Sequence, residues 1–301
     1  MHVTELPTNS APQKNTVSLP PPTYWEKLQE NITSIGTQIR HIQAKDIPNG
    51  VCEGLVLSWT QSVLADDQGA FDKRIETLTT DPKEGWLFWG ERYHNLGDAI
   101  RDARNMAKFT KQPLSKLDED TQHLLEIPAF LDTIYLYYAP SLTELKDTLP
   151  IQSTQAISPY ALPKALASSS PDESNHLSSQ YTIHNLDHFS LVELLLSLCE
   201  DVSSIPNQQQ VFKINSLDHT IALSIQDGKI TLFDQNYLNT GGSTYTEFEE
   251  DEIDSLAIEI LSRFHQTKNN NNLLCALEKI SLQRNATTRN TESVADQVSS
   301  Q

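Results

Sequence analysis

The chain has 301 residues, 38% of them hydrophobic, enough to bury a substantial core in one large domain or two small ones. Acidic residues outnumber basic ones by 40 to 22, for a formal charge of −18, which argues against a nucleic-acid partner because affinity there rests on cationic contacts to phosphate. Three widely spaced cysteines with no CxxC pair argue against a disulfide framework and a zinc site, and no apolar run approaches the roughly 20 residues that span a bilayer.

Residues 1–22 are rich in Pro, Ser, Thr and Asn and end in LPPP, the composition of a disordered leader. The opening MHVTELPTNSAPQK has neither an apolar segment nor a basic start, so no general secretory signal is expected. From Tyr24 to Ala44, apolar residues recur at Trp25, Leu28, Ile32, Ile35, Ile39 and Ile42, steps of three and four that predict an amphipathic helix. DIPNG at 46–50 ends it and prepares a second helix at about Val51. The stripe of that helix is Cys52, Leu55, Val56, Trp59 and Val63, which puts Cys52 in the first turn, facing the core.

Helices are expected over Gly69–Leu78 and Leu96–Thr110. Between them Trp86, Phe88, Trp89 and Tyr93 read as core packing of a helical layer. Leu117–Leu125 and Ala129–Tyr138 add further helix, with IYLYY a candidate for extended structure. Residues 150–180, with four prolines and many serines, form a surface excursion or internal linker. Phe189–Asp201 is a strongly apolar helix carrying Cys199, Val211–Ile214 a short strand, and Glu249–Phe264 an amphipathic helix with acidic residues in its first turn, as the dipole favours. Residues 266–301 turn to Asn, Thr, Ser and Gln and read as a polar flexible tail, in which Leu273–Leu282 could make a short helix. The folded domain is therefore expected over residues 23–265.

The most informative stretch is Asp218–Tyr237. Asp227-Gly228 separates two alternating runs, the signal of a hairpin with a type I′ turn. Gln226 then pairs with Lys229, and one face carries His219, Ile221, Leu223, Ile225, Ile230, Leu232, Asp234 and Asn236. That face is apolar near the turn and polar at its open end, where His219 and Asp234 are diagonal neighbours at roughly 7–8 Å. A carboxylate beside an imidazole at a core rim is the orienting part of a nucleophilic triad. Of the three thiols, Cys52 sits at a helix N-terminus, where a thiolate is stabilised, whereas Cys199 lies late in an apolar helix and Cys275 in the polar tail. Glu53, next in sequence, opposes a thiolate, although its side chain is expected to point about 100° away around the helix. His184 and His188 read as surface or capping residues. Taken singly, Cys52, His219 and Asp234 are each more often structural; their combination singles them out as catalytic candidates.

Cys52 in GVCEGLVLSWTQS, His219 in DHTIAL and Asp234 in LFDQNY, followed by an amphipathic helix, resemble the YopT-type cysteine proteases. The resemblance covers about residues 24–265. It rests on a Gly-x-Cys followed by a Trp two turns on, and on the ending of the Asp strand, where Gln235 stands in place of the family's Pro. It implies an α+β, papain-like fold with a helical layer packed on a short antiparallel sheet, and a cysteine peptidase with Cys52 as nucleophile, His219 as base and Asp234 as orienter. It also implies an effector delivered by bacteria into a host cell, a host protein as substrate, a host activating protein as a second candidate partner, and no cofactor. The same three residues also serve glutamine deamidases and transglutaminases, and a silent protein-binding effector is the remaining alternative. Such enzymes hold the oxyanion with the nucleophile's N–H and an upstream side-chain amide; Asp46 stands six residues before Cys52, and Asn49 and Gln43 are the amides nearby.

Overall fold

The computed structural model describes residues 24–39, 51–138, 176–204, 208–217, 219–236, 245–264 and 272–283. The expected leader, the DIPNG break with Gln43, Asp46 and Asn49, and most of the 150–180 excursion lie outside them.

The first half of the chain is a layer of helices: α1 (Tyr24–Ile39), α2 (Val51–Leu64), α3 (Gln68–Thr79), α4 (Leu96–Thr110) and α5 (Glu119–Tyr138). The spacing of three and four does what it predicts, since Leu28, Ile32 and Ile35 of α1 and Leu55, Val56, Trp59 and Val63 of α2 are all buried in one core. Asn95 caps α4 by accepting from the Asp98 N–H, and Lys111 ends it in the left-handed conformation. IYLYY lies in α5, which runs through Pro128 without ending, so the extended alternative is not taken. The aromatic cluster belongs to a two-stranded hairpin, β1 (Trp86–Phe88) and β2 (Glu91–Tyr93), rather than to a helix. Trp89 and Gly90 turn it with positive φ, and Trp86 and Phe88 still pack into the helical core.

The second half builds a six-stranded antiparallel sheet from β3 (His176–Leu186), β4 (Gln208–Asn215), β5 (Thr220–Gln226), β6 (Lys229–Phe233), β7 (Tyr245–Glu249) and β8 (Leu273–Gln283), in the order β3-β8-β4-β5-β6-β7. The architecture is mixed α+β. The β5–β6 hairpin has the expected register, Gln226 opposite Lys229, with Asp227 at φ 51° and Gly228 at φ 80° making the turn. Its predicted core face is buried: Ile221, Leu223, Ile225, Ile230 and Leu232 join a second core with α6 (His188–Ser204) and α7 (Ile253–Arg263). The other face is buried as well. Ala222 and Phe233 join the helical core, where Phe233 stacks on Trp59 at 5.0 Å and 7° and meets Phe71 edge-on. The sheet is thus sandwiched between α1–α5 on one side and α6–α7 on the other.

Residues 273–283 correct the reading of a polar tail. They form β8, paired with β3 on one side and β4 on the other. Leu273, Cys275 and Leu277 enter the second core while Ile280 and Leu282 enter the first, so the apolar set switches faces mid-strand. That switch spaces Leu273, Leu277 and Ile280 as a helix would, which hides a strand covered on both sides. Likewise the last residues of the supposed excursion, from His176, begin β3. No helix among the described residues is long and apolar enough to cross a membrane.

Candidate active site

Three elements converge at the end of the sheet where β5 starts and β6 stops. Cys52 enters from the first turn of α2, half-buried. His219 comes from the loop before β5, whose path is fixed by Ser216: its backbone N–H donates to His219 O at 2.9 Å. Asp234 follows the last residue of β6. The thiol of Cys52 lies beside the His219 ring, near enough to favour its charged form. On the other side, His219 Nε2 donates to Asp234 Oδ1 at 3.0 Å, so Nδ1 is the nitrogen left for the sulfur. The structure therefore brings together the three residues singled out in the sequence.

The carboxylate is almost fully buried and would be costly there without partners. Asn236 N–H donates to its Oδ1 at 2.8 Å, the local turn to which Asp is suited. Arg263 Nη1 donates to its Oδ2 at 3.2 Å. Arg263 closes α7, is nearly as buried as Asp234, and is in turn held by Glu259 one helical turn back. Nothing in sequence spacing flags Arg263, which is 29 residues from Asp234; a basic residue in a last turn is ordinary dipole compensation. Phe264 lies beside the imidazole, the ring centroids 5.7 Å apart and the rings tilted by 59°.

Burial by itself would lower the basicity of His219. The hydrogen bonds to Asp234 and to Cys52, and the charges of both, outweigh it and push the imidazole up to about 9. The ring is thus held as a cation through neutral pH, next to a thiol at a helix N-terminus. Gln235 is fully buried beside it, its side-chain amide 3.5 Å from His219 Nδ1. With Nε2 facing the ring its Oε1 has no partner.

The other two thiols are elsewhere. Burial, and then the charge of Glu250, pushes Cys199 up to about 11; burial pushes Cys275, which sits in β8 rather than in a tail, to about 11 as well. His188 pairs with Asp254 on α7 and His184 with Thr182, both away from this site. Among the described residues no group of His, Cys, Asp and Glu is arranged to hold a metal ion.

Glu53, the residue expected to oppose a thiolate, does not stand alone. Lys213 of β4 reaches it at 3.1 Å, and Lys213 is also 2.8 Å from Glu278 of β8. Gly54 follows, and an added Cβ there would lie 2.4 Å from the carbonyl oxygen of Ile134 on α5. The helix start that carries the thiol is thus pressed against α5 on one side and tied to the sheet on the other.

No family model matches the sequence, and no curated protein matches it. Among solved structures the chain is similar to the avirulence protein AvrPphB of Pseudomonas, with a TM-score of 0.34 and 14% identity, over 77% of this chain and 92% of that one.

Proposed function

We propose that the protein is a cysteine peptidase with a papain-like arrangement, acting on a protein substrate. One observation carries this reading: an imidazole held by a buried carboxylate at 3.0 Å has the thiol of a helix start beside it. Cys52 thiolate attacks the scissile carbonyl carbon, forming a C–S bond and a tetrahedral oxyanion. The Cys52 backbone N–H, one of the helix's first amides and so without an intrahelical partner, supports the developing negative charge. As the C–N bond breaks, the His219 imidazolium gives its proton to the leaving amine, and a thioester remains. His219 then takes a proton from water, whose oxygen displaces the sulfur and returns the thiolate. Asp234 keeps the ring oriented throughout, and Arg263 keeps Asp234 in place. The second oxyanion donor expected among Asn49 and Gln43 lies outside the described residues.

The motif resemblance of Cys52, His219 and Asp234 supports a host protein as substrate and a bacterial effector delivered to the host cytosol as the setting. The test is to incubate wild-type protein and Cys52→Ala with host-cell lysate and compare newly formed protein N-termini. New N-termini with the wild type alone support the reading. Equal patterns overturn it, and ammonia release without new N-termini assigns the same thiol to glutamine deamidation.

A further inference from the structure

Lys213 has no part in the chemistry described above, yet it is a cation buried to 3% exposure on the sheet face under α2. A buried ammonium is expensive unless paired, and this one has two carboxylates. Glu53 Oε1 accepts its hydrogen bond at 3.1 Å. Glu278 Oε2, 2% exposed, makes a close charge contact at 2.8 Å rather than an aligned hydrogen bond, and its other oxygen accepts from Ser179 Oγ of β3 at 2.7 Å. Holding a lysine in place needs one carboxylate, and Glu278 is already fixed and buried. What the contact to Glu53 adds is a link to the residue next to the nucleophile.

We propose, on the reading of Cys52 as nucleophile, that Lys213 is the positioning residue of the thiol: it cancels the Glu53 charge beside the sulfur and ties the first turn of α2 to the sheet that carries His219. Without it, Glu53 stands as an uncompensated anion one residue from the sulfur and opposes the thiolate. With it, the field at the sulfur is left to the helix N-terminus and the His219 cation. Other charges around the site are accounted for. Asp234 is paired with His219 and Arg263, and Glu259 with Arg263. On α3, Lys73 pairs with Glu119 and Arg74 with Glu126. On α5, Asp132 lies about 200° around the helix from the Ile134 that meets Gly54.

The test is the rate at which iodoacetamide alkylates Cys52 at about pH 6, read by mass spectrometry of its peptide in the full chain. Lys213→Met alone leaves Glu278 as a lone buried anion, so it is combined with Glu278→Gln, which removes the buried pair together. In Lys213→Met/Glu278→Gln the rate is expected to fall by about tenfold. Adding Glu53→Gln is expected to restore it, a rescue that a merely structural lysine would not show. A rate unchanged in the double variant, or lowered equally with and without Glu53→Gln, overturns the proposal. The two readings fail separately: if His219→Ala slows alkylation while the Lys213 variants do not, the thiol–imidazole pair stands and the lysine's role falls. If lysate shows no new N-termini but the rescue is seen, Lys213 serves a reactive thiol that is not a peptidase.

Discussion

Replacing Gly54 with alanine sets two effects against each other at the helix turn that carries Cys52. Intrinsic helix propensity favours alanine by about 0.5–1 kcal/mol. Packing opposes it. The new Cβ would stand 2.4 Å from the Ile134 carbonyl oxygen, 2.9 Å from its Cγ2 and 3.2 Å from its carbonyl carbon. A carbon–oxygen contact settles at about 3.3 Å, so the two helices must part by about 0.9 Å, and the nearest atom is backbone that cannot rotate aside. Overpacking of this kind costs about 1–3 kcal/mol and here meets backbone, so packing outweighs propensity and the net loss is up to about 2.5 kcal/mol. The thiol two residues upstream moves with its turn, and a displacement near 1 Å costs reactions about 10²-fold. Urea unfolding and the rate at which Cys52 reacts with a peptide-based thiol-directed electrophile measure both effects on one sample. A variant stabilised by about 0.5–1 kcal/mol, with an unchanged rate, would refute the close approach of α2 to α5.

Raised to about 9, His219 keeps its proton through neutral pH and loses it as pH rises through that value, so hydrolysis is expected to decline above about pH 9. Asp234→Asn removes the leading favourable contribution and leaves only Cys52 to oppose burial, so that decline is expected to begin at lower pH; a profile unmoved by the substitution would separate the carboxylate from the ring. Iodoacetamide at about pH 8 is expected to label Cys52 while sparing Cys199 and Cys275, because burial pushes both to about 11; peptide mapping reads this directly. Ending the chain after His265 deletes β8, which pairs with strands on both sides; the truncated protein is expected to lose cooperative thermal unfolding, and an unchanged melting temperature would contradict the strand assignment.

The parts legible in the sequence are those where pattern and surroundings agree. Asp227-Gly228 fixed the register of β5 and β6, and that register alone brought His219 and Asp234 to one rim. The stripe through Trp59 placed Cys52 in the first turn of α2. Other parts depend on partners distant in sequence. Thr220, Ala222 and Ser224 read as a hairpin's outer face because nothing local announces that α2 covers them. Lys213 in a short expected strand and Glu278 in an expected polar tail look like exposed charges, yet each is the other's reason to be buried. Arg263 reads as a helix C-terminal cation and becomes an Asp234 partner only when α7 packs beside the sheet. β7 carries no strand signal in the sequence, since Tyr245–Glu249 alternates too weakly to stand out beside the acidic run that follows.

The central claim is that His219 activates Cys52, and its most direct measurement is the alkylation rate of Cys52 near pH 6 in wild-type protein and in His219→Ala. Loss of the imidazolium beside the thiol is expected to slow the reaction by tenfold or more, with a far-ultraviolet spectrum unchanged. Equal rates in the two folded proteins would contradict it, leaving the hairpin as a core element with a polar rim.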